Sequence, residues 1–355
     1  MKKCIPSFTY EVNKHKHCGL LIQYGSLMKK TYSGVLKHRS CLYSLITCLC
    51  ICITITSKVI AQESGLPVTQ YMLNTLSYNP GFAGLSNGIC LSLLHRQQWL
   101  GLGKAADGSH LSPNSTLLLI DAPIKAIKGG LGLEIASNNI AYFRDITIKV
   151  GYAYHLQTSI GKIGLGVQAV LMDKNLDFTK LKPENMGDVV LANKGKESAF
   201  LGDIAVGAYL QGNQGYFVGV SVGQIIAHPN DKIAFKPART LTLSGGYSFN
   251  FPSLPKVEFT PTTYLSTDFT SVTWDITALA TFNKKFWVGL SYRLQDAVSV
   301  LAGMNISRFR IGVSYDIPAS KFASKTCGGF EVFVKYCFSL EGDKLNTEYK
   351  NARYL

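Results

Sequence analysis

Histidine is the side chain best suited to moving protons near neutral pH, and beyond its first sixty-one residues this sequence carries His95, His110, His155 and His228. A catalytic role would place them beside a nucleophile and an acid: a nucleophile elbow, a His-Glu-x-x-His helix or a phosphate-cradling glycine loop. None of these patterns occurs, and the four histidines are scattered over a strand and loops. Cys48, Cys50 and Cys52 alternate as thiolate ligands might be spaced, but they stand in a hydrophobic stretch where cysteine serves as a small apolar residue. The sequence therefore predicts no catalytic residues, no cofactor, no metal site and no enzyme.

The elements that would position any binding residues follow from composition and period. The chain has 355 residues, 46% hydrophobic and 16% charged, with 33 Gly, 18 Tyr and 18 Phe, which is a strand-and-turn composition. The net charge of +14 is concentrated at the start: residues 1–61 hold nine Lys/Arg against Glu11, so the rest carries 27 against 21, or +6. An excess that small supports no nucleic-acid groove. Residues 28–61 read as a signal peptide. Lys29, Lys30, Lys37 and Arg39 form its basic region, Ser40 to Ser57 is uncharged and largely apolar, and Val59 and Ala61 are the small residues of a cleavage site before Gln62. Met28 reads as the true start, with residues 1–27 as a mis-annotated extension. The rival is an uncleaved membrane anchor of nearly bilayer-spanning length.

From Gln62 onward the dominant rhythm is two residues. Ile163, Leu165, Val167, Ala169 and Leu171 alternate with Gly164, Gly166, Gln168 and Val170, and Phe286, Val288, Leu290 and Tyr292 alternate with Trp287, Gly289, Ser291 and Arg293. The apolar faces often end in an aromatic ring (Tyr154, Tyr247, Tyr292, Tyr315, Phe338), and the opposite faces are rich in glycine and small polar groups. A soluble sandwich needs bulky apolar residues on its inner face. A lipid-facing barrel does not, and its aromatic rings belong at the headgroup level. The pattern predicts an all-β, single-domain transmembrane antiparallel barrel over 88–338. Its fourteen strands fall near 88–96, 115–121, 129–136, 146–155, 162–171, 203–210, 216–223, 238–247, 257–266, 272–280, 286–292, 297–303, 308–315 and 328–338. Residues 62–87 form a periplasmic lead-in or plug, and 339–355 a periplasmic tail. The longer connections, 97–114, 137–145, 172–202 and 224–237, then fall outside the cell.

The residues that carry a specific signature come next. Gln70-Tyr71-Met72-Leu73-Asn74, then Asn79-Pro80-Gly81-Phe82-Ala83-Gly84 and Arg96-Gln97-Gln98-Trp99, resemble the opening of the PorP/SprF family of Bacteroidetes outer-membrane proteins associated with type IX secretion and gliding motility. The resemblance returns at Phe286 to Arg293, at Asp296-Ala297-Val298 and at Gly312-Val313-Ser314-Tyr315-Asp316, and spans about 65–338. The chain departs from the family where Asn74 is followed by Thr75 and not proline, and where Gly81-Phe82 stands for Ala-Tyr. The resemblance implies a component that helps export or anchor an adhesin-like surface protein. Its expected partners are outer-membrane lipid, that secreted protein and periplasmic secretion components. A passive outer-membrane channel for small solutes is the alternative.

Within that frame the candidate partner-binding residues are Gln70, Tyr71, Asn74, Asn79, Pro80, Gly84, Arg96, Gln98, Trp99, Arg293, Asp296, Tyr315 and Asp316. Pro80 fixes φ and Gly81 permits positive φ, so Asn79-Pro80-Gly81 predicts a chain reversal. Arg96 and Trp99 read either as a clamp on a partner or as a lumen arginine with an acidic neighbour beside an interfacial tryptophan. Arg293, Asp296 and Asp316 read as an ion-pair network at the outer rim. Cys327 and Cys337 lie roughly 33 Å apart along an extended strand, too far to bridge. Cys90 and Cys337 fall on the first and last strands facing inward, where a disulfide or two isolated small residues are the alternatives.

Overall fold

The computed structural model describes residues 67–338, apart from 87, 104–107, 109–110, 178, 180–194, 231–232, 234 and 236. The expected extension 1–27, leader 28–61 with its cleavage after Ala61, residues 62–66 and the tail 339–355 lie outside the described residues.

Among the described residues the alternating segments become β1 (Ile89–Gln97), β2 (Asn114–Ile124), β3 (Gly129–Ile140), β4 (Phe143–Thr158), β5 (Gly161–Asp177), β6 (Lys196–Gly212), β7 (Tyr216–Gly223) and β8 (Thr240–Tyr247). After them come β9 (Phe249–Asn250), β10 (Val257–Thr267), β11 (Val272–Phe282), β12 (Phe286–Arg293), β13 (Ala297–Ile306), β14 (Phe309–Pro318) and β15 (Gly329–Phe338). The short β9 continues β8 past Ser248 and pairs with the same neighbour, β10, so the staves number fourteen. Neighbours pair antiparallel in sequence order, and β15 returns to β1 in the register Cys90↔Cys337 and Arg96↔Glu331. Closure leaves no sheet edge, the condition for a β-structure to lie in lipid.

The sidedness is the inverse of a soluble protein's. Leu290 is 61% exposed on the outer wall of β12 while its neighbour Ser291 is 3% exposed inside, and Thr277 on β11 is fully buried. Leu93, Val150, Val167, Val218 and Val313 likewise face out. Tyr154, Tyr247 and Phe338 ring one end of the outer wall and Tyr292 and Tyr315 the other, all exposed, as the two aromatic girdles of an outer-membrane barrel do.

The connections at the end where β1 begins are short (125–128, 159–160, 213–215, 307–308), whereas the longer ones, among them 98–113, 224–239 and 319–328, join strands at the opposite end. Barrels of the outer membrane carry their longer loops on the extracellular side. Two loops expected to be long are shorter than the spacing predicted. Residues 141–142 suffice between β3 and β4, and β5 and β6 pair out to Asp177↔Lys196. Polar residues such as Asn138, Asn139, Arg144 and Asn175 break the apolar rhythm without breaking the ladder, because backbone pairing does not depend on which side chains the strand carries.

Candidate functional site

The lumen is filled by the chain's own first described segment. Residues 67–86, expected on the periplasmic side, lie inside the barrel: Thr69, Gln70, Tyr71, Met72, Asn74, Leu76, Asn79, Phe82, Ala83 and Leu85 are all buried. The segment folds as three single turns, Tyr71–Leu73, Thr75–Tyr78 and Pro80–Phe82. The Asn79 side chain accepts from the Gly81 amide at 2.9 Å and, through its own amide, donates to the carbonyls of Ala208 at 3.0 Å and Val220 at 3.3 Å. The predicted reversal is thus tied to the wall by β6 and β7.

The glycine-rich inner face now has a physical cause. A Cβ on Gly166 of β5 would stand 2.3 Å from the Pro80 carbonyl oxygen, and one on Gly130 of β3 would stand 2.2 Å from the Gly84 Cα. Gly84 itself has φ +72°, open to glycine at little cost. Around this contact Leu76, Phe82, Ala83 and Leu85 form one apolar cluster with Leu94, Leu117, Leu119, Tyr209, Phe217 and Phe333 of the wall. Each large side chain so buried contributes about 1.5–3 kcal/mol.

The end of the segment nearer the long loops is held by charge. Arg96 of β1 pairs with Asp316 of β14 at 2.7 Å and with Glu331 of β15, and all three side chains are at most 7% exposed. Both carboxylates also grip the segment. The Thr69 hydroxyl donates to Asp316 at 2.8 Å, and the backbone amides of Thr69 and Gln70 donate to the two oxygens of Glu331 at 2.6 and 3.0 Å. Arg96 and Arg293 close the network by donating to the Thr69 hydroxyl oxygen at 3.1 and 3.5 Å, and Arg293 of β12 pairs with Asp275 of β11 at 3.0 Å. Buried ions are tolerable because each is paired and hydrogen-bonded.

The other end is held at the barrel's seam. Asp121 of β2 accepts from the amides of Gly84 and Ser86, while Lys335 of β15 donates to the Ser86 hydroxyl at 3.3 Å. One level further, Cys90 and Cys337 form a disulfide between β1 and β15, which selects the bridged alternative for this pair. Cys327 is free and exposed.

Beside the segment, in the outer half of the barrel, a cleft of about 290 Å³ remains. The wall supplies Glu134 of β3, Asp145 and Lys149 of β4 and Gln168 and Lys174 of β5, and the luminal segment supplies Tyr71, Asn74 and Tyr78. Lys149 pairs with Glu134 at 3.0 Å and Lys174 with Asp145 at 2.5 Å. Lys174 also stands 4.3 Å from the ring centroid of Phe235, which hangs from the 224–239 loop.

The structure brings together some of the residues that the sequence singled out and separates others. Arg96, Arg293 and Asp316 share one network, which Gln70 joins through its backbone. Asp296 touches it only through Arg293 at 3.4 Å and is half exposed. Tyr71 reaches Thr262 at 2.8 Å, Asn74 faces the cleft, and Asn79, Pro80 and Gly84 make the contacts above. Gln98 is buried at the end of β1, its amide donating to the Pro113 carbonyl. Tyr315 lies on the outer wall, its hydroxyl donating to the Cys327 carbonyl. Trp99 does not join Arg96: it sits past the strand at φ +51° and is 36% exposed, while Arg96 turns inward. Thr69, Asp275 and Glu331 were not among the sequence's candidates. Glu331 carried a readable signal, being an acid at an inward position between Phe330 and Val332, at the level of Arg96.

The family described as "Type IX secretion system membrane protein PorP/SprF" matches residues 61–336. Among curated proteins no relative matches. Solved structures with similar barrels include the outer membrane protein Omp33 of Acinetobacter baumannii, at 11% identity and TM-score 0.42, covering 72% of this chain and 100% of that one. The toluene transporter TbuX of Ralstonia pickettii matches at 12% identity and TM-score 0.43, covering 75% and 92%. A KdgM porin matches at 13% identity and TM-score 0.34, covering 70% and 99%. Likenesses this distant carry no functional meaning.

Proposed function

The chain belongs to the PorP/SprF family of type IX secretion system membrane proteins, and on that premise we propose that it is a non-catalytic outer-membrane component that helps export or anchor one surface protein. The partners would be that adhesin-like protein outside and secretion or gliding components in the periplasm. The observation that carries this reading is the occupied lumen: residues 67–86 are bonded to β1, β2, β6, β7, β14 and β15. A barrel so filled is a rigid mount for its loops and turns, and it offers solutes no wide path. A cleaved leader, with Gln62 as the new terminus, completes the proposal.

The test pairs genetics with flux. Deletion of the gene should remove one surface protein from the cell while general secretion persists. Liposomes holding the purified protein should swell in small neutral solutes no faster than empty ones. Fast swelling with every surface protein retained would establish the passive channel instead.

A further inference from the structure

The cleft beside the luminal segment has the makings of a site. Three side chains lining it are at least nine-tenths buried and each leaves one polar atom without a partner: Asn74 Oδ1, Glu134 Oε2 and Gln168 Nε2. An unmet buried polar group is costly, and three around one space are an arrangement that a ligand, or water, relieves. Glu134 and Gln168 stand on β3 and β5, separated by β4, so they lie roughly 10 Å apart across the sheet, with Asn74 approaching from the lumen.

The charge of the cleft narrows the ligand. Lys149 and Lys174 are already paired with Glu134 and Asp145, so the charges that these two pairs bring to the cleft cancel. Two unmet acceptors and one unmet donor call for a neutral group that both donates and accepts, as an extended peptide backbone does. Tyr71 and Tyr78 of the luminal segment and Tyr264 of β10 add aromatic surface to the lining, a common anchor for peptide side chains. The volume, near the lower bound of about 300 Å³ for ligand pockets, admits only a short stretch, and the cleft lies at the end where the long loops emerge.

We infer that this outer cleft seats a short uncharged segment of the secreted surface protein, with Asn74 and Glu134 accepting from its backbone amides and Gln168 donating to a carbonyl. The inference rests on the function proposed above and supplies the place where the partner is held.

The test uses the full chain in its native membrane. A photo-reactive benzoylphenylalanine is placed at Val170 in the cleft wall and, as control, at Phe200 on the lipid face. Irradiated cells should give a high-mass adduct at position 170 and none at 200, and digestion should map it to one uncharged segment of one surface protein. Gln168→Met should lower recovery of that partner about tenfold, while heat-modifiable gel migration shows the barrel intact. Co-purification of the partner without any adduct at position 170 would overturn the inference and leave the anchoring function standing. Failure of the partner to co-purify at all would sink both. An adduct to glycan or lipid, or partner recovery unchanged by Gln168→Met, would also overturn the cleft assignment.

Discussion

Arg96 on the first strand and Glu331 on the last face each other across the seam that closes the barrel, both 1% exposed, and the same carboxylate holds the backbone amides of Thr69 and Gln70. One ion pair thus joins two events: closure of the wall and seating of the luminal segment.

Removing one partner leaves a buried charge unpaired. Arg96→Met should destabilise the barrel by about 3–5 kcal/mol, read as a lower temperature for the loss of folded migration on gels. The double variant Arg96→Met, Glu331→Met should recover part of that loss. If the double variant is as unstable as the sum of the two single variants, the pair is not coupled.

The glycine lane on β5 makes a steric prediction. Gly166→Val places atoms where the Pro80 carbonyl lies, so the segment must move or the wall must bend, at about 1–3 kcal/mol. Planar-bilayer recordings should show larger or noisier conductance than the parent, and replacing Gly202, which has no neighbour within 4 Å of a Cβ, should not.

The disulfide ties strands 247 residues apart in sequence. Cys90→Ser should abolish the mobility difference between reduced and non-reduced gels and lower stability by about 2–4 kcal/mol. Equal migration of the parent protein under both conditions would refute the bridge in the membrane.

Orientation can be read from the native thiol. Cys327 is free and exposed on the segment between β14 and β15, at the long-loop end. A membrane-impermeant maleimide should label intact cells, and Cys327→Ser should remove the signal. Labelling only after the outer membrane is broken would invert the topology.

The outer wall answers to lipid. Leu290→Arg, near the middle of β12, should cost about 2–4 kcal/mol and reduce assembled barrel in the membrane. Phe269→Arg, in the exposed 268–271 turn, should be nearly silent by the same assay.

Sequence alone determined the wall of this protein. Side chains alternate across a strand with a period of two, so pairs such as Leu290 and Ser291 declared their sides, the aromatic ends marked the girdles, and the strand spans could be read close to their observed bounds except where β5 and β6 run six and seven residues further, to Asp177 and from Lys196. The resemblance at Gln70 to Gly84 and at Arg96 also flagged residues that prove to be internal. Tertiary structure decided what the inner face is for. Burial of Tyr71, the closeness of Gly166 to Pro80, and the meeting of Arg96 with Asp316 and Glu331 depend on contacts between residues up to 235 positions apart. No local period encodes such a contact: a glycine facing a packed segment and a glycine facing water are the same letter until the barrel closes around them.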